Sequence, residues 1–427
     1  MCKPVGQSQA DDLRDRFADI GQGVGSFSII MALIVFAGLP LVARAETAPL
    51  GPKPVNSVVG QSTTVTKSAQ SLHQKSSIPT SLKKKAATLP AKKSGVAPKI
   101  IAQTTPAPAA SPGGAEKEKA EFARWLKDFR VEAKAAGISD STLKSAFADV
   151  SEPIQRVIEL DRKQPEFTLT LDQYMERVVN PGRIERGRTL ILENQALLDT
   201  VSAQYGVPRQ FIVALWGIET DYGRITGGYS VVGALATLAF EGRRAQFFRT
   251  ELLKALKIID EGHISAGNML GSWAGAMGQS QFMPSSFLSF AQDGDGDGRK
   301  DIWTSRPDVF ASIANYLATS GWKGDRTWGE QVVLPDSIDR ASLDTKNRKL
   351  VADWMTAGVT LPDGKSPTLD PNVQAAIVLP GGPDGPAYLV TENYSVFLKW
   401  NRSLYFATAA GTLADRLALS DPYAPSQ

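Results

Sequence analysis

The sequence predicts a mainly α-helical protein of the α+β class, in which a small β-containing subdomain interrupts the helices. Apolar residues recur at helical spacing through much of 116–320 and again through 394–419. Between about 321 and 390 the chain instead carries short apolar pieces separated by Pro, Gly and Asp, a texture typical of short strands. These pieces are 331–335, 359–361 and 375–380. With 427 residues, the chain is long enough to bury a sizeable core.

The N-terminal region contains the one long apolar run, at 27–42. Basic residues precede this run and Ala43-Arg44-Ala45 follows it, a small-x-small site typical of signal-peptide cleavage. We therefore predict a signal peptide over 1–45 and a periplasmic location. An uncleaved membrane anchor is the alternative, although a run of about 16 residues is short for a span. Cys2, the single cysteine, does not follow the run, so neither a lipoprotein anchor nor a disulfide is expected.

Residues 46–115 are rich in Pro, Ala, Ser, Thr and Lys, and contain no acidic residue after Glu46. This composition predicts a flexible basic linker. Two interpretations remain open for it: a solvated tether, or electrostatic attachment to an anionic surface such as the cell wall or membrane lipid. The formal net charge of +3 is too small to indicate a nucleic-acid-binding protein.

Ordered structure is predicted to begin near Glu116. Apolar residues from Phe122 to Phe129 recur at helical spacing there, and Gly137 is a suitable residue to end that helix. The centre of the protein is therefore expected to be mostly α. Further helices are predicted over 140–147, 171–178, 183–205, 231–238, 244–261 and 308–320.

The stretch 207–223 is predicted to form an apolar helix that carries one carboxylate near its end. Because that carboxylate continues the apolar face, it should enter the core, where burial without a cationic partner raises the pKa of a carboxyl toward neutrality. Such a group can donate a proton. A capping or surface salt-bridge role is the alternative. The residues at i, i+3, i+4 and i+7 of this face are Ile212, Leu215, Trp216 and Glu219.

The stretch 271–286 is dense in Gly, Ser and Gln, which breaks helical periodicity. Small residues let backbone and ligand approach closely, and Ser and Gln supply hydrogen-bond partners suited to a sugar. A tight structural turn explains the composition equally well.

An acidic loop at 293–301 has the spacing of an EF-hand calcium loop. Alternate carboxylates would converge on one hard cation, a backbone carbonyl would fill the seventh position, and a glycine at position 6 would permit the sharp turn. A solvated acidic turn is the alternative. Positions 1, 3, 5, 6, 7 and 9 are Asp293, Asp295, Asp297, Gly298, Arg299 and Asp301.

The loop departs from the EF-hand pattern at position 12, where Thr304 replaces the bidentate glutamate. Asp308 lies a few residues farther on and could supply the missing carboxylate if the loop is extended. We predict a Ca²⁺ site with Asp293, Asp295, Asp297, Arg299 and Asp308 as ligands, whose role is to stabilise the fold. No organic cofactor is expected.

Taken with the acidic loop, four motifs resemble the membrane-bound lytic transglycosylase B family, glycosidases that cut peptidoglycan. They lie at 217–223, 272–286, 314–316 and 400–403, and read GIETDYG, SWAGAMG with QFMPSS, ANY and WNRS. The likeness extends from about Glu116 to Leu419. It implies a lysozyme-like catalytic core with an additional helical region at about 116–320, which includes the loop 293–308. A small β subdomain at about 321–390 and a helical return at 391–420 complete the catalytic domain 116–427.

The same resemblance implies the site residues. Glu219 matches the single catalytic acid of the family, and Asp308 its closing calcium carboxylate. A tyrosine that follows Asn-x-Ser in the family corresponds to Phe406, with Tyr405 beside it, so either could face the cleft. Residues that match positions lining the sugar cleft are Tyr174, Ser272, Gln281, Tyr316 and Asn401.

A lytic transglycosylase needs only one carboxyl group, whereas most glycosidases need two. The expected reaction cleaves the β-1,4 bond between MurNAc and GlcNAc and leaves a 1,6-anhydroMurNAc end, with Glu219 acting first as acid and then as base. The expected partners are peptidoglycan glycan strands and cell-wall synthesis or remodelling proteins, and the protein is expected to be a monomer. One alternative is a hydrolytic muramidase that uses Asp221, or a water held by Ser272 or Gln281. Another is a non-catalytic, calcium-stabilised wall-binding protein.

Overall fold

The structure is a computed structural model that describes residues 112–163 and 169–418. Helix α1 (Pro112–Ala135) begins slightly before the boundary predicted at Glu116. The predicted signal peptide, Cys2 and nearly all of the predicted linker lie outside the described residues. Among the helices that the structure describes, none is long and apolar enough to cross a membrane.

The first three helices contribute apolar side chains to the main core. They are α1, α2 (Asp140–Ala146) and α3 (Gln155–Arg162), of which α3 was not predicted. Trp125 of α1 stacks between Phe122 and Phe129, with ring centroids 5.8 and 5.4 Å away. Gly137 adopts φ 95°, a left-handed value that favours glycine, so it ends this segment as expected.

The predicted helix 183–205 is instead two helices. Helix α4 (Leu171–Val178) precedes them, and they are α5 (Pro181–Glu193) and α6 (Gln195–Tyr205). Asn194 separates them with φ −113°, and its side-chain amide donates to Leu190 O at 2.7 Å. The prediction of one continuous helix was wrong because an asparagine side chain competes for the backbone hydrogen bonds that would continue it.

Helix α7 (Arg209–Thr220) lies at the centre of the core. Every residue from Phe211 to Ile218 is buried, as expected for a helix that is apolar all round. The helix begins after Pro208, which is its N-cap and not the first helical residue. It ends where Asp221 and Tyr222 adopt φ values of 50° and 63°, an unusual pair of left-handed non-glycine residues.

Helices α8 (Val231–Glu241) and α9 (Ala245–Asp260) follow and pack against each other. A short strand precedes α8 in the sequence and another follows α9, and the two pair antiparallel. They are β1 (Tyr229–Ser230) and β2 (Leu270–Gly271), and the sequence did not predict them. Helices α10 (Pro284–Phe290) and α11 (Arg306–Thr319) then flank the acidic loop.

A four-stranded antiparallel sheet forms the predicted β-containing subdomain. Its strands, in spatial order, are β3 (Gly329–Val332), β6 (Ala387–Val390), β5 (Gln374–Val378) and β4 (Arg348–Leu350). The residues of β5 and β6 face two cores alternately. Ala376 and Val378 join the main core, whereas Ala375 and Ile377 join a smaller core around Trp354. A short helix, α12 (Val351–Thr356), follows β4.

The predicted strand at 359–361 is only a bridge, in which Thr360 exchanges backbone hydrogen bonds of 2.7 and 3.2 Å with Val333. The chain returns to helices α13 (Glu392–Trp400) and α14 (Leu404–Ala418). They are separated at Asn401, whose side-chain oxygen accepts a hydrogen bond from Ser403 N at 3.0 Å. The expectation of a mainly α fold with a small β subdomain is thus confirmed.

Candidate active site

Glu219 lies in the last turn of α7, two residues before Asp221, the first of the left-handed residues that end the helix. Its neighbours Ile218 and Thr220 are buried, whereas Glu219 itself is partly exposed. The indole N–H of Trp400, the last residue of α13, donates to Glu219 Oε1 at 2.7 Å. A hydrogen bond to a carboxylate is charge-assisted, so it both orients this side chain and favours its ionised form.

Burial raises the pKa of Glu219 to about 7, even though the Trp400 hydrogen bond opposes the shift. The expectation of a raised pKa is therefore confirmed. A group with this pKa is partly protonated at neutral pH and can exchange its proton in either direction.

A cavity of about 230 Å³ opens at Glu219. Three of the predicted cleft residues lie on its wall, namely Gln281, Tyr316 and Asn401. The wall therefore combines amide groups with aromatic surface, as sugar-binding sites require. The other lining residues are Phe247, Ala276, Phe282, Met283, Ser285, Ser286, Lys399, Trp400 and Arg402.

The Gln281 side chain is held in place by the backbone. Its Nε2 donates to Gly278 O at 2.9 Å and to Thr226 O at 3.1 Å, which engages both amide hydrogens. Gln281 also adopts φ 50°, a left-handed value uncommon for a residue with a side chain. The two hydrogen bonds of Nε2 fix the plane of the amide on the cavity wall.

An aromatic cluster forms another part of the wall. The ring of Tyr316 lies 4.6 Å from that of Trp400 and 4.5 Å from that of Phe290, measured between centroids. The Tyr316 hydroxyl donates to Lys399 O at 2.7 Å, and burial raises the pKa of Tyr316 to about 12. The phenol therefore remains neutral and acts as a fixed polar group.

Ser272 and Tyr174, the other two predicted cleft residues, do not line this cavity. Ser272 is buried, and its hydroxyl accepts a hydrogen bond from the backbone N–H of Ala276, a cavity residue, at 3.0 Å. Tyr174 is also buried, and the Glu219 carboxylate contributes to raising its pKa, second to burial. Its ring meets that of Tyr405 edge-on at 5.6 Å. Phe406 lies in the core at 1% exposure, so Tyr405 is the residue of this pair that contacts Tyr174.

Asp221 is surrounded by guanidinium groups. Its carboxylate lies 3.0 Å from Arg186, 2.5 Å from Arg224 and 3.8 Å from Arg183. Arg186 and Arg224 each donate a hydrogen bond to one of its oxygens, and the Arg183 guanidinium adds a third positive charge nearby, so Asp221 is poorly placed to act on a substrate as a second carboxylate.

Gln279 connects α7 to the acidic loop. Its backbone N–H donates to Ile302 O and its side-chain Nε2 donates to Trp303 O, both at 2.8 Å. On the helix side, its Oε1 accepts from Trp216 Nε1 at 2.8 Å and its backbone O accepts from the Thr220 hydroxyl at 2.9 Å. Residues on both sides of Glu219 are thereby tied to the loop.

Sequence reasoning missed the roles of Trp400 and Gln279. Trp400 belongs to the motif at 400–403, but nothing in the sequence shows which of its side chains faces a carboxylate 181 residues earlier. Gln279 was visible only as part of the Gly, Ser and Gln density at 271–286.

The acidic loop fits a hard cation. Ligand oxygens of Asp293, Asp295 and Asp297 lie within 4.8 Å of one another. Backbone N–H groups of Gly296 and Gly298 donate to Asp293 at 2.7 and 2.8 Å, which bends the loop around these oxygens. The donor set is of the carboxylate type that Ca²⁺ prefers.

The remaining loop carboxylates bind backbone groups. Asp308 is fully buried and accepts from Gly294 N at 2.8 Å and Asp301 N at 2.5 Å, so it joins the two ends of the loop. It is not among the three converging carboxylates that the structure describes. The Arg299 side chain pairs with Asp297 at 2.8 Å, which leaves its carbonyl as the predicted ligand.

The fold and this site are those of a glycosidase-like enzyme, and comparisons with known proteins identify its family. Residues 121–415 match the family model described as the transglycosylase SLT domain. Membrane-bound lytic murein transglycosylase B of Escherichia coli (strain K12) is 31% identical over 255 residues, or 58% of this chain and 67% of that protein.

Solved structures agree with this match. SltB3 from Pseudomonas aeruginosa, in complex with NAG-anhNAM-pentapeptide, is 43% identical with a TM-score of 0.67, over 69% of this chain and 79% of that one. The Escherichia coli lytic transglycosylase Slt35 in complex with calcium is 26% identical with a TM-score of 0.59, over 69% and 92%.

The chain therefore belongs to the transglycosylase SLT domain family. It is an enzyme of the lytic transglycosylase class, as the sequence motifs predicted.

Proposed function

We propose that this enzyme cleaves the β-1,4 bond between MurNAc and GlcNAc of peptidoglycan, with Glu219 as the single proton donor and acceptor. The observation that carries this proposal is a carboxyl group of pKa about 7 on a polar cavity, while the nearby Asp221 is engaged by three arginines. One titrating carboxyl suits a reaction in which the substrate supplies its own nucleophile.

In the first step, protonated Glu219 gives its proton to the glycosidic oxygen as the C1–O4 bond breaks. GlcNAc leaves with a free 4-hydroxyl group, and positive charge develops at C1 of the MurNAc ring. The substrate's own N-acetyl group, or the new carboxylate, stabilises that charge. The Trp400 N–H stabilises the carboxylate as it forms, since its hydrogen bond is stronger to the anion than to the acid.

In the second step, the Glu219 carboxylate removes the proton from the C6 hydroxyl of the same MurNAc. The C6 oxygen bonds to C1 and closes the 1,6-anhydro ring, which returns Glu219 to its protonated form. No water is consumed. The aromatic wall formed by Phe282, Tyr316 and Trp400 would limit the access of water to C1.

The polar residues of the wall would hold the sugar rings during both steps. Gln281 presents an amide whose donors the backbone has already fixed, and Asn401 lies beside Trp400 at the end of α13. Ser272 would maintain the turn before Ala276. Tyr174, whose pKa is raised by burial and by the Glu219 carboxylate, would line the sugar cleft beside Glu219.

The acidic loop would bind Ca²⁺ through Asp293, Asp295, Asp297 and the Arg299 carbonyl, with Asp308 holding the loop closed. The convergence of three carboxylates supports this assignment, as does the calcium complex of Slt35. The ion would supply structural cross-linking, because its bonds would join residues at different positions of the loop.

Location and partners follow from the same proposal. A protein that acts on peptidoglycan must meet it outside the cytoplasm, and the predicted signal over 1–45 would export the chain to the periplasm. SltB3 has been solved with muropeptide fragments, which supports peptidoglycan glycan strands as the partner of this cavity.

The test is chromatography with mass spectrometry of muropeptides after digestion of peptidoglycan. Wild type should release 1,6-anhydroMurNAc ends, and Glu219→Gln, which is nearly isosteric, should lose nearly all turnover. Glu176→Gln on the exposed face of α4 is the matched control and should behave as wild type. Reducing MurNAc ends from wild type, or full activity of Glu219→Gln, would contradict the proposal.

A further inference from the structure

A second cavity, of about 1140 Å³, lies where α2, the turn at Ala266–Asn268 and the far end of the acidic loop meet. We call it the lateral groove. It exceeds the range of roughly 300–1,000 Å³ that is usual for small-ligand pockets, so it has room for an extended ligand. Its wall includes Ser141, Ser145, Thr226, Asn268, Trp303 and Thr304.

Trp303 gives this groove a rigid aromatic surface. Its indole N–H donates to Leu270 O at 2.9 Å, and its ring lies 5.8 Å from that of Phe287. Its backbone is held as well, since Trp303 N donates to Asp301 at 2.9 Å and Trp303 O accepts from Gln279. The side chain nevertheless remains partly exposed. A tryptophan fixed in this way offers a large contact area at low entropic cost.

The charges on the wall of the lateral groove are already compensated. Arg299 pairs with Asp297 at 2.8 Å, and the Asp301 carboxylate accepts from the backbone N–H groups of Trp303 and Thr304, both at 2.9 Å. An acidic peptide would require uncompensated cations. Neutral hydroxyl and amide groups beside an indole instead suit a neutral, hydroxyl-rich ligand.

The lateral groove adjoins the Glu219 cavity without being part of it. Gln281 lines the cavity and donates to Thr226 O, which belongs to a groove residue. The distance between the two sites follows from helix α9. Phe247, near the start of this helix, lines the cavity, and Ile259, near its end, lines the groove. Twelve residues of helix span about 18 Å.

We propose that the lateral groove is a second carbohydrate-binding site, which takes a stretch of β-1,4-linked N-acetylated amino sugars while the Glu219 cavity holds the bond to be cleaved. The choice of ligand rests on the proposed function, whereas the groove and its composition do not. Attachment at two places raises the effective concentration of the glycan at the cavity, because the second contact becomes intramolecular.

The test is isothermal titration calorimetry of the Glu219→Gln protein with the β-1,4-linked tetramer of N-acetylglucosamine. Two binding events are expected. Adding Trp303→Ala or Asn268→Ala should weaken one event about tenfold, the usual effect of losing a central contact. Adding Asn401→Ala should weaken the other event. Asn372→Ala, at an exposed asparagine of the β subdomain, is the matched control and should change neither.

A single binding event, or two events that neither groove variant alters, would overturn the inference. Competition by a free stem pentapeptide for the Trp303-dependent event would overturn the choice of glycan. Asn268 lies on an exposed turn, so that variant keeps the test decisive if Trp303→Ala fails to fold. The titration does not depend on which product the wild type releases, so the proposed reaction and the lateral groove can fail separately.

Discussion

The indole N–H of Trp400 donates to the carboxylate of Glu219 at 2.7 Å and thereby joins the C-terminal ends of two helices, α13 and α7. Both residues lie on the same cavity. Burial raises the pKa of Glu219, whereas this hydrogen bond lowers it. The two effects together set the proton affinity of the catalytic group.

Trp400→Phe should shift the pH dependence of kcat/KM to higher pH. A hydrogen bond to a charged group contributes roughly 1.5–3 kcal/mol, which corresponds to about one to two pKa units. Removing it should raise the pKa of Glu219, so the fall in activity on the alkaline side should move up by about one to two units. The value of kcat should decrease because the forming carboxylate loses its donor. An unchanged alkaline limb would show that this hydrogen bond does not tune Glu219, and Trp125→Phe serves as the control.

Glu219→Gln should stabilise the protein at alkaline pH. The pKa of Glu219 in the folded state, about 7, exceeds the value of 4.5 expected without burial. The stabilisation that comes from holding its proton is therefore fully present below pH 4.5 and lost as the pH rises to 7. Urea unfolding should show similar stability of wild type and variant at pH 4.5, and an advantage of up to about 3 kcal/mol for the variant at pH 8. An advantage that does not depend on pH would contradict burial of this carboxyl.

Gln279→Met should lower kcat about tenfold with little change in KM. Gln279 supports the geometry of the reacting groups, and substrate binding is not expected to depend on it. The variant should also lose about 1–3 kcal/mol of unfolding free energy, since Trp216 Nε1 and Trp303 O each lose a partner. Gln279→Glu keeps an acceptor for Trp216 and should recover part of kcat. Gln292→Met, whose amide contacts only adjacent backbone, is the control. Equal losses of kcat in both methionine variants would refute a special role for Gln279.

Asp221→Asn should still release 1,6-anhydroMurNAc ends. The variant weakens the contacts to Arg183, Arg186 and Arg224, so a loss of about 1–3 kcal/mol of stability is expected from this change. If Asp221 were the second carboxylate of a hydrolytic mechanism, muropeptide chromatography would show loss of product instead.

Asp295→Ala should remove calcium-dependent stabilisation. A ligand present at 100 times its Kd stabilises the folded state by about 2.7 kcal/mol, so chelation should lower the Tm of wild type and leave that of the variant unchanged. Asp149→Ala, at an exposed position outside the loop, should retain the wild-type response. Equal calcium affinity of Asp295→Ala and wild type, measured by calorimetry, would exclude the loop as the site.

The central helix and its carboxylate could be predicted from the sequence because periodicity is a local property. An unbroken apolar segment ending in Glu219 fits a buried helix and little else, and the raised pKa follows from burial alone. The β subdomain was predictable for a similar reason, since Pro and Gly separate its strands.

The polar details were not predictable, because they depend on side-chain hydrogen bonds between distant segments. Asn194 divides a helix through one bond to Leu190, and Trp400 reaches Glu219 from the end of a helix 181 residues away in sequence. The Gln279 contacts likewise join residues far apart in sequence. A pattern of residue types contains no record of which partner each polar group will find.

The most direct measurement of the central claim is digestion of purified peptidoglycan in H₂¹⁸O, followed by mass spectrometry of the released muropeptides. If Glu219 directs the C6 hydroxyl to C1, the products should carry 1,6-anhydroMurNAc ends without ¹⁸O, and Glu219→Gln should release almost none. Reducing MurNAc ends that carry one ¹⁸O would show that water is the nucleophile and would contradict this account.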